Sequence, residues 1–179
     1  MDIYIMRHGK TFWNEQGRIQ GQSRNRLSHN GRILVEQVSN ECRGVDFDII
    51  FSSPLMRTMQ TSNIMNKYHN VKIVKEPRLI EVSQGDFTGR FKSGLTEEEK
   101  ILKAVRSKTR GMEGLDSLIL RTKNFYDEIK SSGYNKILIV THNYNSSILE
   151  KLILNQSLVD VGEESIRNFK NAELKIFKI

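Results

Sequence analysis

The chain has 179 residues, 37% of them hydrophobic and 27% charged, with two prolines, one cysteine and a net charge of +7. Such a composition fits one domain spanning residues 1–179 and excludes a disulfide-stapled or zinc-finger scaffold. With no run near the roughly 18 apolar residues of a membrane span, it excludes a transmembrane protein too. The positive balance favours anionic partners, and with no basic stretch leading into an apolar run at the N-terminus, the protein is expected in the cytoplasm.

Ile3–Met6 is a short apolar run of strand character that stops at Arg7, His8 and Gly9. Ser28 has the position of a helix N-cap ahead of Leu34, Val38 and Cys42, which fall at i, i+4 and i+8 and put Cys42 in the core. A second apolar run, Phe47–Phe51, leads through Ser52 and Ser53 to Pro54, which opens a helix bearing Arg57 and the apolar Leu55, Met59 and Met65. Val71–Val74 reads as a third strand, with Glu81 beyond it. Thr96 and Glu99 have capping-box spacing, and Leu118, Arg121, Phe125 and Ile129 keep helical spacing in a helix from Leu115 to about Lys130. Ile137–Val140, apolar on both faces as a buried parallel strand requires, runs into His142 and Asn143. A helix from Ser146 to about Asn155 and an alternating strand at Leu174, Ile176 and Ile179 complete the pattern.

Strands alternating with helices imply an α/β fold, a three-layer sandwich with a mostly parallel central sheet flanked by helices, and ligands of such sheets bind at the carboxyl ends of the strands. Arg7, His8, Arg57, Glu81 and His142 all follow strands, so two histidines, two arginines and a glutamate are delivered to one edge. Taken singly, each has a plainer reading: a polar strand boundary, a surface helix residue, a salt-bridging loop, a histidine satisfied by backbone. Asn14 reads equally as the cap of a turn, and His29 and His69 as solvated surface residues.

The stretches RHG-x-T-x-W-N at Arg7 to Asn14, GRIQGQ at Gly17 to Gln22, LSHNG at Leu27 to Gly31, SSPLMRTMQT at Ser52 to Thr61, LIEVSQGDFTG at Leu79 to Gly89 and LIVTHN at Leu138 to Asn143 follow one another along nearly the whole chain. This ordered set resembles the histidine phosphatase superfamily, also called phosphoglycerate mutase-like. The resemblance implies a phosphatase that hydrolyses a small phosphomonoester through a phosphohistidine on His8. Arg7 and Arg57 would grip phosphate oxygens, His142 would add a donor, and Glu81 would act as general acid and then as general base. Asn14, Gln20, Gly21 and Asn143 are expected to join Arg7, Arg57 and His142 in binding substrate. No metal or other cofactor is expected, since the cationic side chains neutralise the phosphoryl charge. The expected partner is a small anionic phosphorylated substrate, with no nucleic acid and no membrane, and the oligomeric state is left open.

The chain departs from the family's usual pattern at Lys10, where Glu or Gln is common, at Asn143, where Gly is common, and at Arg24 to Leu27, where an acid is replaced by bases. Residues from about 82 to 112 correspond to the family's cover over the active site. Between Arg90 and Arg110 this stretch carries seven basic residues against three glutamates. Lys92 falls near a substrate-contacting lysine of phosphoglycerate mutases, but Gln84 stands where those enzymes carry an aromatic residue. A 2,3-bisphosphoglycerate-dependent mutase is therefore the alternative reading, followed by a catalytically silent phosphate-binding module.

Overall fold

Side chains on a strand alternate between faces, so strands apolar at every position need a cover on both sides. The computed structural model, which describes residues 1–106, 108–158 and 169–179, has that arrangement. Among the described residues five strands form one sheet: β1 (Asp2–Arg7), β2 (Ile49–Ser52), β3 (Ile73–Lys75), β4 (Lys136–Thr141) and β5 (Leu174–Lys178). Their order is β3-β2-β4-β1-β5; all pairs are parallel except β1 with β5. On one face Ile3, Ile5, Ile137 and Ile139 pack with Phe125 and Ile129 of α5 (Leu115–Lys130) and Leu149 of α6 (Asn143–Ile153). On the other, Tyr4, Met6, Leu138 and Val140 pack with Val35 of α2 (His29–Glu41) and Met65 of α3 (Met56–Met65), with Cys42 buried beside them as expected. The chain is thus a three-layer α/β sandwich. Phe125 has no exposed surface, and truncating such a side chain to Ala costs about 3–5 kcal/mol.

Several boundaries differ from the sequence reading. A four-residue helix, α1 (Phe12–Glu15), follows the first strand, started by a capping box between Thr11 and Asn14. α3 starts at Met56 with Leu55 as its N-cap, so Pro54 stands ahead of the helix and does not open it. The helix expected from Ser146 starts at Asn143, directly after His142 as its N-cap. Phe47 lies outside β2 and packs edge-on against Tyr4 and His69, so His69 is partly buried and not a solvated surface residue. His29 is exposed, as expected.

Register does the positioning. Arg7 pairs with Thr141 and Ser52 with Val140, so the residues that follow, His8, His142 and Ser53, leave the sheet in one row. The turn after β1 is pressed against α2, whose Ser28 Oγ caps the Gly31 N–H at 3.1 Å. A Cβ on Gly31 would lie 2.0 Å from the Lys10 carbonyl oxygen. The glycine of LSHNG is what permits that approach.

The segment between Gln84 and Met112 leaves and re-enters the fold at one place, where those two residues form an isolated antiparallel bridge. It contains α4 (Glu97–Ala104), begun by the expected Thr96 and Glu99 capping box. Among the described residues no helix is long and apolar enough to cross a membrane.

Candidate active site

The row of strand ends forms the floor of a cavity of about 240 Å³, room for a small metabolite and below the usual range of drug-sized sites. His8 is 2% exposed, and its Nδ1 lies 2.7 Å from the Gly9 carbonyl oxygen. A carbonyl only accepts, so Nδ1 carries the proton and Nε2 keeps its lone pair. Burial, reinforced by the Arg57 and Arg7 charges, holds the His8 imidazole well below its ordinary pKa, so the ring is neutral.

Arg57, on the first turn of α3, is 1% exposed. Its guanidinium donates from Nη2 to the Gly21 carbonyl at 2.7 Å, from Nη1 to the Ser23 carbonyl at 2.9 Å and from Nε to His142 Nδ1 at 3.3 Å. Burial lowers its pKa to about 10, against the opposing pull of Glu81; it remains charged at neutral pH. Because the Arg57 Nε–H can only donate, His142 Nδ1 must accept, and His142 Nε2 carries the proton toward Ser53 Oγ at 2.8 Å. Burial first, then Arg57, keeps His142 neutral too. His142 lies beneath the cavity, its ring 5.2 Å from that of His8, and it is not among the side chains that line the wall.

Arg7 donates from Nη1 to the Phe169 carbonyl at 2.6 Å. The backbone from Phe169 to Ala172 straps this floor from below. Phe169 N–H donates to Asn143 Oδ1, Asn171 Nδ2 donates to the His8 carbonyl at 3.1 Å, and Ala172 N–H reaches the carbonyls of Arg7 and His8. Gly9 N–H donates to Thr61 Oγ1 at 3.1 Å, tying the same loop to α3.

Arg7, His8, Arg57 and Glu81 converge on the cavity, as do Asn14, Gln20, Gly21 and Asn143. Asn14 both caps and lines: its Oδ1 accepts from the Thr11 N–H at 3.1 Å, which leaves its Nδ2 donors to face elsewhere. Glu81 is partly exposed; its Oε1 accepts from the Val82 N–H at 3.0 Å. Burial raises its carboxyl pKa, with Arg57 and the Val82 amide opposing. The start of α6 adds Asn143 and Tyr144, and a helix N-terminus favours anions through its unsatisfied N–H groups.

Lys10 and Arg24 are exposed and outside the wall. Lys92 lines the cavity from the segment above, with Lys103 of α4, which the sequence offered only as part of a basic run. Arg18 also lines it, a residue inside GRIQGQ that sequence reasoning did not single out; no spacing signal distinguishes it. Among the described residues no group of three or more His, Cys, Asp or Glu side chains could hold a metal ion.

The sequence pattern of the histidine phosphatase superfamily (branch 1) matches residues 3–179. The chain belongs to that superfamily. Phosphoserine phosphatase 1 of Hydrogenobacter thermophilus is 29% identical over 147 residues, 78% of this chain and 70% of that protein. A protein named "Probable phosphoglycerate mutase GpmB" from Enterobacter sp. is 37% identical over 100 residues, 56% of this chain and 46% of its own length, so the chain aligns with less than half of that relative. In three dimensions the alpha-ribazole phosphatase of Shigella flexneri superposes with a TM-score of 0.87 at 22% identity, covering 100% of this chain and 91% of that one. At that identity the likeness concerns the fold.

Proposed function

We propose that this superfamily member is a phosphatase that hydrolyses a small phosphomonoester through a phosphohistidine on His8. The observation that carries the reading is the His8 imidazole: buried, neutral, committed to the Gly9 carbonyl through Nδ1–H, and set in a cavity with Arg7 and Arg57. Phosphoryl transfer asks chiefly for positioning and fixed positive charge around three oxygens, and two guanidiniums meet that need.

In the first step His8 Nε2 attacks phosphorus as the P–O bond to the leaving group breaks, and Glu81 gives its proton to the departing oxygen. In the second, water attacks the phosphohistidine, its proton passes to the Glu81 carboxylate, and the P–N bond breaks to return the lone pair to His8. A raised Glu81 pKa suits a group that must hold a proton and then take one back. His142 serves the floor: by accepting from Arg57 Nε it sets the plane of the guanidinium.

The test is to trap the intermediate. Wild-type protein incubated with radiolabelled p-nitrophenyl phosphate and a chelator should acquire an acid-labile, alkali-stable label, and His8→Ala should acquire none. Labelling of His8→Ala at the wild-type rate would sink the assignment.

Lys92 at the wall also suits a mutase, in which the phosphoryl group returns from His8 to a second hydroxyl before water arrives. Formation of 2-phosphoglycerate from 3-phosphoglycerate primed with 2,3-bisphosphoglycerate, faster than phosphate release, would establish that reading.

A further inference from the structure

Along α5 the positions Leu118, Arg121, Phe125 and Ile129 repeat at helical spacing, and the three apolar ones are fully or almost fully buried. An arginine in that row needs a reason. Charge on the buried side of a helix is costly unless it is paired. The partner is Glu113, just ahead of the helix, and the two side chains are 18% and 16% exposed. Arg121 Nε and Nη2 donate to the two Glu113 carboxylate oxygens at 2.8 and 3.1 Å, the bidentate arrangement that a planar fork allows. The remaining arm, Nη1, donates to the Arg78 carbonyl.

Glu113 carries the grip further. Its Oε2 accepts from the Ser83 N–H, and its own N–H donates to the Ser83 carbonyl, both at 3.2 Å. Arg121 therefore holds the chain at Arg78 directly and at Ser83 through Glu113, and Glu81 stands between those two points. Val82, with no exposed surface, packs in the cluster that holds Leu118, one turn before Arg121 on α5. The Glu81 carboxyl group depends on such anchorage. Among the described residues its hydrogen bond is to the adjacent Val82 N–H, a tie inside the same loop that moves whenever the loop moves. A general acid works only within hydrogen-bond reach of the oxygen it protonates, so what anchors the loop sets the reach of the acid.

The geometry points to Arg121 as a positioning residue for Glu81: with Glu113 it fixes the backbone on both sides of the acid and so holds the carboxyl group at the leaving oxygen. This rests on the reading that gives Glu81 the acid's part. An ion pair that only stabilised the fold would, once broken, slow every ester alike. One that positions the acid slows the esters that need a proton.

The test compares phosphoenzyme formation in single turnovers from benzyl phosphate, whose alkoxide needs a proton to leave, and from p-nitrophenyl phosphate, whose phenolate leaves unaided. Arg121→Lys keeps the charge and loses the fork. It should slow the benzyl ester by about tenfold to a hundredfold, the scale of a misplaced catalytic group, and the nitrophenyl ester by less than about threefold. In a Glu81→Gln background the same substitution should slow the benzyl ester by less than about threefold, because the group it positions is gone. Lys175→Gln, which breaks a comparably buried pair with Glu150, should leave the ratio of the two rates as in the wild type. Glu113→Gln, which turns one acceptor into a donor, carries the same prediction should Arg121→Lys fail to fold. Equal losses for both esters, no loss for either, or a full additive loss in the Glu81→Gln background would overturn the inference. Failure of the acid assignment would show separately, as equal losses from Glu81→Gln itself, and would remove the inference with it.

Discussion

The floor of the cavity and the segment from Gln84 to Met112 are held by different forces. On the floor Arg57, His8 and Arg7 are each tied to backbone or to another buried group: Arg57 to two carbonyls and His142, His8 to Gly9, Arg7 to Phe169. Above it, α4 has no fully buried residue, and Ile101 and Val105 are 63% and 69% exposed. Ion pairs of the segment, Arg90 with Glu99, Lys100 with Glu97 and Arg110 with Asp86, lie at the surface, where such pairs contribute little. Buried exceptions are Phe87, packed with Ile19 and Met112, and Arg106, which donates to the Ser83 carbonyl at 2.7 Å and to that of Glu113 at the neck of the segment. On the proposed reading, chemistry common to all phosphate esters would fall to the overdetermined region, and discrimination between esters to the loosely packed one.

The comparison breaks first at Glu81, to which the proposed mechanism gives the acid's part although its chain leads into the segment. Glu81→Gln should slow phosphoenzyme formation from an alkyl phosphate by about 10² to 10⁴, the range of general-acid catalysis, and from p-nitrophenyl phosphate far less, because that leaving group departs without a proton. Equal losses in single-turnover measurements would make Glu81 a positioning residue. The same assignment sets the pH profile. Activity needs neutral His8, lowered well below 6.5, and protonated Glu81, raised above 4.5. Rate should hold as pH falls through the usual imidazole range, and decline as pH rises through the elevated Glu81 value. Glu81→Gln should abolish the alkaline limb and leave the acid one.

Stability should run the other way on the acid side. Below 6.5 the unfolded chain binds protons on His8 and His142 that the folded chain refuses, so these two sites each remove up to about 1.4 kcal/mol per pH unit as pH falls. Glu81, whose folded pKa is raised, partly offsets them: the stability it adds is full below 4.5 and is lost as pH rises through its folded value. Thermal denaturation from pH 7 to pH 5 should show a falling Tm, and His8→Asn should flatten it.

Arg57→Ala should cost about 10² to 10³ in kcat, as for other preorganised donors. It should also lower Tm, because the Gly21 and Ser23 carbonyls lose buried donors. A loss under fivefold would place Arg57 outside the chemistry. Asn171→Ala removes one hydrogen bond to the His8 carbonyl, worth about 1 kcal/mol, and should reduce kcat by a factor of several with KM preserved. A KM effect alone would mean that Asn171 meets the substrate. Lys10→Gln should change neither constant by as much as twofold, since Lys10 is exposed outside the cavity. A clear KM shift would bring Lys10 to the rim.

The strands could be read from the chain because runs such as Ile137–Val140 are apolar at every position, and the floor because polar residues interrupt those runs at their carboxyl ends. The start of α6 escaped because Asn143 and Asn145 are weak helix formers; the helix begins there only because His142 leaves β4 at the sheet edge. Arg18 escaped because it is held at the cavity by Gly89 and Phe91, distant in sequence. The Phe169 to Ala172 strap works through backbone carbonyls and amides, which carry no compositional mark.

Gln84 and Met112 pair, so the chain between them leaves and returns at one place, and it meets the rest of the fold again where Phe91 bridges Arg18 and the Gly89 N–H donates to the Ile19 carbonyl. Gly85 stands at its mouth with φ +50, where a Cβ would fall 1.8 Å from the Arg110 carbonyl oxygen, so the two limbs touch before they diverge. Beyond that second contact the excursion can be lengthened or shortened without pulling on the floor, and the entropic cost of doubling a flexible loop is only about 0.6 kcal/mol. Such a segment can act as a replaceable cassette: on the phosphatase reading, a different leaving group could be accepted by rewriting the chain beyond Lys92 while the floor stays as it is.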